Sequence, residues 1–162
     1  MKKTIQFKNS ELVGIANILG SFKLKGKASL GRSVLIHKLA AKQDEYLADR
    51  VEVQNTYFES DDQGNLKTLD NSEKLIPKKD FSDANEPSKL SSEAKEKLDK
   101  EMKDLADELV GIDFTEYSPR FKALKAALDD YPYEVEKDEA VVYSIVYDQL
   151  EQAFAKDSKE EQ

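Results

Sequence analysis

Residues Ala28 to Glu59 read ASLGRSVLIHKLAAKQDEYLADRVEVQNTYFE, thirty-two residues with no proline and one glycine, Gly31, near the start. Proline and glycine are the residues that most often end helices, so an uninterrupted run of this length predicts one long helix. Leu35, Leu39, Tyr46, Val53 and Tyr57 step along one side of it at four- and seven-residue intervals. At 1.5 Å per residue the helix spans about 48 Å. A small domain does not cover that length alone, so part of the apolar stripe is expected to pair with another helix, in the chain or in a second copy. The segment 91–109 is the candidate, with Ala94, Leu98, Met102, Leu105 and Leu109 on one face. Together 28–59 and 91–109 predict an antiparallel helical hairpin, in which Glu45, Asp49 and Glu52 stand ready for Lys95, Lys97, Lys100 and Lys103.

The rest of the chain predicts a small helical globular part with two or three short strands, giving a fold that is mainly α with a minor β component (α+β). Thr4 to Lys8 alternates apolar and polar residues, as a half-buried strand does. Asn9 or Ser10 is placed to cap a first helix over 11–19, and Gly20 to stop it. Gly111 to Tyr117 alternates again and reads as a second strand. Ser118 and Pro119 open a short helix carrying Phe121, Leu124 and Leu128. Tyr131 to Val135 reads as a third strand. Asp138 is placed to cap a final helix to about Ala155, apolar around most of its circumference and therefore expected at the buried centre. Residues 60–90 contain Pro77, Pro87 and a turn at Asp61 to Asn65, and predict an irregular, mobile connector that holds at most a short strand at Leu66 to Leu69. The charged tail 156–162 is expected to fray.

At 162 residues the chain is long enough to bury a core as a single domain, 1–162. Charged residues make up 36% and apolar ones 39%, a heavily solvated but folded composition. The chain has no cysteine, which removes disulfides, thiolate metal sites and thiol nucleophiles together. No apolar run reaches the roughly 18 residues of a membrane span, and the first residues lack a signal-peptide core. A cytoplasmic protein without membrane contact is the expectation.

The net charge of −8 hides an asymmetry. Residues 1–42 hold nine Lys and Arg against one acid, Glu11, and everything after them is strongly acidic. Within the basic segment Lys23, Lys25, Lys27, Arg32, Lys38 and Lys42 are the candidate contacts for an anionic partner. Pairing of the same residues with the chain's own acids is the competing expectation and the preferred one, because an acidic bulk lies so close. It also opposes the wrapping of any nucleic acid.

No catalytic constellation is present. Gly20 and Gly26-Lys27 miss the spacing of a phosphate-binding loop, Ala28 stands where Ser or Thr would hold magnesium, and a helix precedes where a strand is needed. His37 is the only histidine, so neither a metal-ligand pair nor a Ser-His-acid set exists. Tyr143 and Tyr147 lie one helical turn apart and read as packing residues before they read as a ring-binding pair. No cofactor and no metal is implied, and a non-enzymatic function is expected.

Several of these features together resemble a small family of uncharacterised proteins from phages and prophages of Gram-positive bacteria, a domain of unknown function. They are the N-terminal strand and helix, the Leu24 to Arg32 junction, Lys42 with Glu45-Tyr46, the turn Asp62 to Lys67, and the closing helix from Asp138-Glu139-Ala140 to Tyr147, Leu150 and Glu151. The resemblance carries no catalytic residue. It implies a viral origin and the host bacterial cytoplasm, or association with the virion. The functional expectation is a non-enzymatic phage protein acting through protein–protein contacts or self-association, as an assembly accessory or a binder of a host factor. A nucleic-acid-binding regulator using the basic segment is the alternative.

Overall fold

The computed structural model describes residues 1–70, 72–156 and 159. Two strands and five α-helices follow one another as β1 (Thr4–Lys8), α1 (Leu12–Leu19), α2 (Gly26–Tyr57), α3 (Ser92–Asp107), β2 (Leu109–Asp113), α4 (Ser118–Asp129) and α5 (Lys137–Ala155). The fold is mainly α with a minor β component, as expected. The chain divides into two compact units, one of 1–43 with 109–162 and one of 44–108. Helix α2 runs unbroken through Gly26–Tyr57 and supplies residues to both.

In the first unit β1 and β2 pair antiparallel, with Ile5 opposite Ile112 and Phe7 opposite Val110. Alternation puts Ile5, Phe7 and Ile112 inward, where they meet Leu12, Ile15 and Leu19 of α1, Leu35 and Leu39 of α2, and the buried faces of α4 and α5 in one core. Each fully buried aliphatic or aromatic side chain contributes about 1.5–3 kcal/mol, so this cluster dominates the stability of the unit. Phe114 and Phe121 stack at its centre with ring centroids 4.5 Å apart.

The second unit has a smaller core in which Val53, Tyr57 and Phe58 meet Ala94, Leu98 and Met102, with Phe81 and Leu90 from the connection. Ser91 caps α3 by accepting the Ala94 N–H at 3.2 Å. The α3 lysines pair along their own helix, Lys95 with Asp99, Lys97 with Glu93, Lys100 with Asp104 and Lys103 with Asp107. Spacing of four residues places such partners one turn apart, which is why each of these lysines finds an acid on its own helix. Residues 60–70 and 72–90 are irregular apart from a 3-10 turn at Lys79–Phe81, and hydrogen bonds tie them back onto the end of α2: the Lys78 N–H donates to Tyr57 O, the Glu59 N–H to Ile76 O and the Lys67 N–H to Glu59 O. At 66–69 isolated bridges, Ser60 with Leu66 and Thr68 with Leu75, stand where a short strand was expected.

Local chemistry moves several boundaries. The second strand occupies Leu109–Asp113 instead of 111–117, because the Asp113 carboxylate accepts the Thr115 N–H at 2.9 Å and its hydroxyl at 2.7 Å and turns the chain. A 3-10 turn at Thr115–Tyr117 then leads directly into α4, so Ser118 is inside the helix and not its cap. Before α1 a similar turn, Asn9–Glu11, intervenes, and Glu11 accepts the Lys8 N–H at 2.9 Å in place of a cap by Asn9 or Ser10. The third strand is absent: 131–135 is a loop whose Pro132 has no N–H to offer a neighbour. Helix α5 begins at Lys137 after Glu136, one residue ahead of the expected cap Asp138. It buries only the stripe Val142, Val146 and Leu150, and Val141 is 57% exposed, so it lies at the edge of the core and not at its centre. Of the tail 156–162, only Lys156 and Lys159 fall within the described residues.

Candidate functional site: a basic aromatic cleft

Helix α1 ends near Ile18 and Leu19, and the chain turns through Phe22, Lys23 and Leu24 before Gly26 opens α2 with a backbone φ of +61°. A residue other than glycine adopts that conformation only at a cost. The turn is held from below by Arg32. Its guanidinium donates to the carbonyl of Phe22, to Leu19 O at 3.5 Å and to Ser29 Oγ at 3.3 Å. These carbonyls lie at or just beyond the C-terminal end of α1, where a helix has no internal donors to offer and a cation is favoured.

Facing the turn is the loop after α4. The Lys23 N–H donates to Tyr131 Oη at 3.1 Å, and the Tyr131 ring meets Phe22 edge to face at 5.2 Å. Tyr133 packs edge to face on Tyr131 at 5.5 Å, and Lys23 Nζ stands 4.6 Å from the centre of the Tyr133 ring. Between turn and loop lies an open cleft of about 560 Å³, lined by Lys23, Leu24, Lys25, Ala28, Tyr131 and Tyr133 among others. The rings continue along α5, where Tyr143 and Tyr147 stack nearly parallel, 5.9 Å apart. Tyr143 donates its hydroxyl proton to Leu128 O, and Tyr147 donates to the Asp129 carboxylate, which also receives Lys125 at 3.2 Å. That hydrogen bond holds Asp129 below the usual carboxylate range and pushes Tyr147 up to about 12. Both α5 tyrosines thus brace α4, and the packing expectation describes their place.

The six basic candidates separate into three groups. Lys23 and Lys25 line the cleft, and Lys27 is exposed in the first turn of α2 beside it. Arg32 is turned inward to the carbonyls. Lys38 and Lys42 line a second hollow of about 350 Å³ with Lys2, Gly111 and Asp113, and Lys38 lies 5.6 Å from the Tyr117 ring centre. Among the described residues Lys23, Lys25 and Lys27 form no ion pair with an acid of the chain, so the expected internal pairing does not hold for these three. Asp113, by contrast, is held below its ordinary value first by the hydrogen bonds from Thr115 and then by Lys2 and Lys38. Tyr131 and Tyr133 escaped the sequence reading as site residues because their alternation resembled a strand. The available signal was Pro132 between them, flanked by the acids Asp130 and Glu134.

Among the described residues no group of three or more His, Asp or Glu is placed to hold a metal ion, and no helix is long and apolar enough to cross a membrane. His37 is exposed on α2.

The molecule is thus a mainly α protein with a small two-stranded sheet, in which the turn before a long helix and the loop after α4 border an open, basic and aromatic cleft. It belongs to the family described as "Protein of unknown function (DUF1617)", whose model matches residues 1–159. No curated protein and no solved structure matches the chain.

Proposed function

We propose that this chain is a non-enzymatic accessory protein that works by binding an anionic macromolecule in the cleft between the Phe22–Lys27 turn and the Tyr131–Tyr133 loop. The observation that carries this reading is the presence of three exposed lysines, Lys23, Lys25 and Lys27, that form no ion pair among the described residues and stand beside a half-exposed tyrosine. The apolar stripe of α2 supports a partner less well, because Leu35, Leu39, Tyr46 and Tyr57 are all buried within the chain itself. A protein partner or a second copy docked along the stripe therefore finds little apolar surface there.

The charge layout favours the same cleft. Residues 44–108 hold ten Lys and Arg against nineteen acids, whereas the unit containing the cleft holds fifteen against fourteen. The acidic surplus therefore belongs to residues 44–108 and not to the unit that carries the cleft. A phage origin and a site of action in the bacterial cytoplasm or on the virion, both implied by the resemblance, fit an accessory that has contacts and no chemistry. Retention on a heparin column tests the proposal. The wild-type chain elutes later than a variant carrying Lys23→Glu, Lys25→Glu and Lys27→Glu; equal elution of the two removes the cleft as the anionic site.

A further inference from the structure

We infer that the polyanion is single-stranded nucleic acid, with one base stacked on the Tyr133 ring and the adjoining phosphates met by Lys23, Lys25 and Lys27. This rests on the reading that the cleft takes a polyanion, and names which one.

Lysines alone would serve any anionic chain, an acidic peptide or a duplex included. What they leave unexplained is Tyr133, which is 48% exposed at the mouth of the cleft. Its ring is held in place and only partly covered: Tyr131 meets it edge to face, Lys23 Nζ stands over one face at 4.6 Å, and Tyr131 is fixed in turn by Phe22 and by the Lys23 N–H. A ring fixed in place, with about half of its surface exposed and one lysine over a face and others beside it, is an arrangement on whose remaining surface an unpaired base stacks. A duplex keeps its base faces internal and would use the lysines only. An acidic peptide gains little from a ring, whose π-face repels carboxylates. The cleft volume of about 560 Å³ lies within the range of sites that enclose a small ligand. Asp130 and Glu134 flank the tyrosine loop in sequence and are exposed. They repel a phosphate chain passing on their side, so the strand lies along the lysine border and the site holds only about three nucleotides.

Fluorescence anisotropy at low salt tests the inference with four probes: a labelled twelve-nucleotide oligo-dT, an abasic deoxyribose-phosphate oligomer of equal length, a blunt duplex and polyglutamate. The wild-type chain binds oligo-dT roughly 5- to 150-fold more tightly than the abasic oligomer, the range that one stacked base supplies. Tyr133→Ala erases that difference and Tyr133→Phe keeps it, with circular dichroism confirming that each variant is folded. Equal binding of oligo-dT and the abasic oligomer by the wild type overturns the stacked base while leaving the polyanion reading in place. Tighter binding of the duplex or of polyglutamate overturns the choice of single strands. Failure to bind any of the four overturns both readings.

Discussion

Gly31 of α2 lies against the backbone of Arg120 on α4: a Cβ at Gly31 would stand 2.9 Å from the Arg120 carbonyl carbon and 3.3 Å from the Cβ of Leu124. The two helices approach this closely because one of them has no side chain at the crossing. Helix propensity alone makes alanine better than glycine by up to about 1 kcal/mol. Here the clash is with backbone, which does not rotate away, so Gly31→Ala lowers stability by about 1–3 kcal/mol, the cost of overpacking a filled core. Gly14 in α1 has nothing within 4 Å of its would-be Cβ, and Gly14→Ala raises stability by up to about 1 kcal/mol. Urea unfolding of the two variants shows shifts of opposite sign; a gain at position 31 would contradict the crossing.

Arg32 ties the end of α1 and the following turn to α2. Arg32→Ala leaves the Phe22 and Leu19 carbonyls without their charged donor and costs about 1.5–3 kcal/mol. Thermal unfolding reads that loss. Polyanion affinity, measured well below the melting temperature, stays near the wild-type value, since the guanidinium faces the protein and not the cleft. A large loss of affinity in a fully folded variant would move Arg32 to the binding side.

The sequence disclosed the larger elements well and the destinations of side chains poorly. Four of the five stripe positions of α2 are buried and Val53 is half-buried, because a helical period is a local property that tertiary structure preserves. The alternation of β1 survived for the same reason. Tyr131 to Val135 alternates equally well, yet a strand also requires a free edge to pair with, and no periodicity reports one. Lys23 to Lys42 reads as a single basic run. The helix separates its two ends, since Lys38 lies eleven residues beyond Lys27 and therefore about 16 Å along α2. The inward turn of Arg32 depends on where α1 stops in space, which no spacing within α2 discloses.

In the smaller core Leu98 is buried and Leu105, on the same face of α3, is only half-buried and outside the cluster. Leu98→Ala costs about 2 kcal/mol, the low end for a leucine truncation because the cluster is small. Leu105→Ala costs less. Denaturant unfolding monitored at the tyrosines of each unit shows the order; a greater loss at Leu105 would place the apolar seam of α3 elsewhere.

Tyr147 and Asp129 give the fold a pH dependence at both ends of the scale. The folded carboxyl of Asp129 lies below its unfolded value, so its contribution is complete above the unfolded carboxylate pKa and is lost as pH falls through the depressed one. The Tyr147 phenol, raised to about 12, contributes fully below its unfolded value of 10.0 and loses that contribution as pH climbs from there to about 12. In Tyr147→Phe the Asp129 carboxyl titrates at higher pH than in the wild type, as read from its side-chain NMR signal. An unchanged titration would mean that Lys125 alone holds the carboxylate.

The claim that three lysines of the cleft engage a polyanion is tested most directly by the salt dependence of binding. The logarithm of the association constant is measured against the logarithm of salt concentration for oligo-dT, with the wild type and with Lys23→Ala, Lys25→Ala and Lys27→Ala combined. Each neutralised phosphate of a single strand contributes about 0.7 to the slope. Removal of the three lysines therefore flattens it by about two while the melting temperature stays within a few degrees. An unchanged slope would contradict the account.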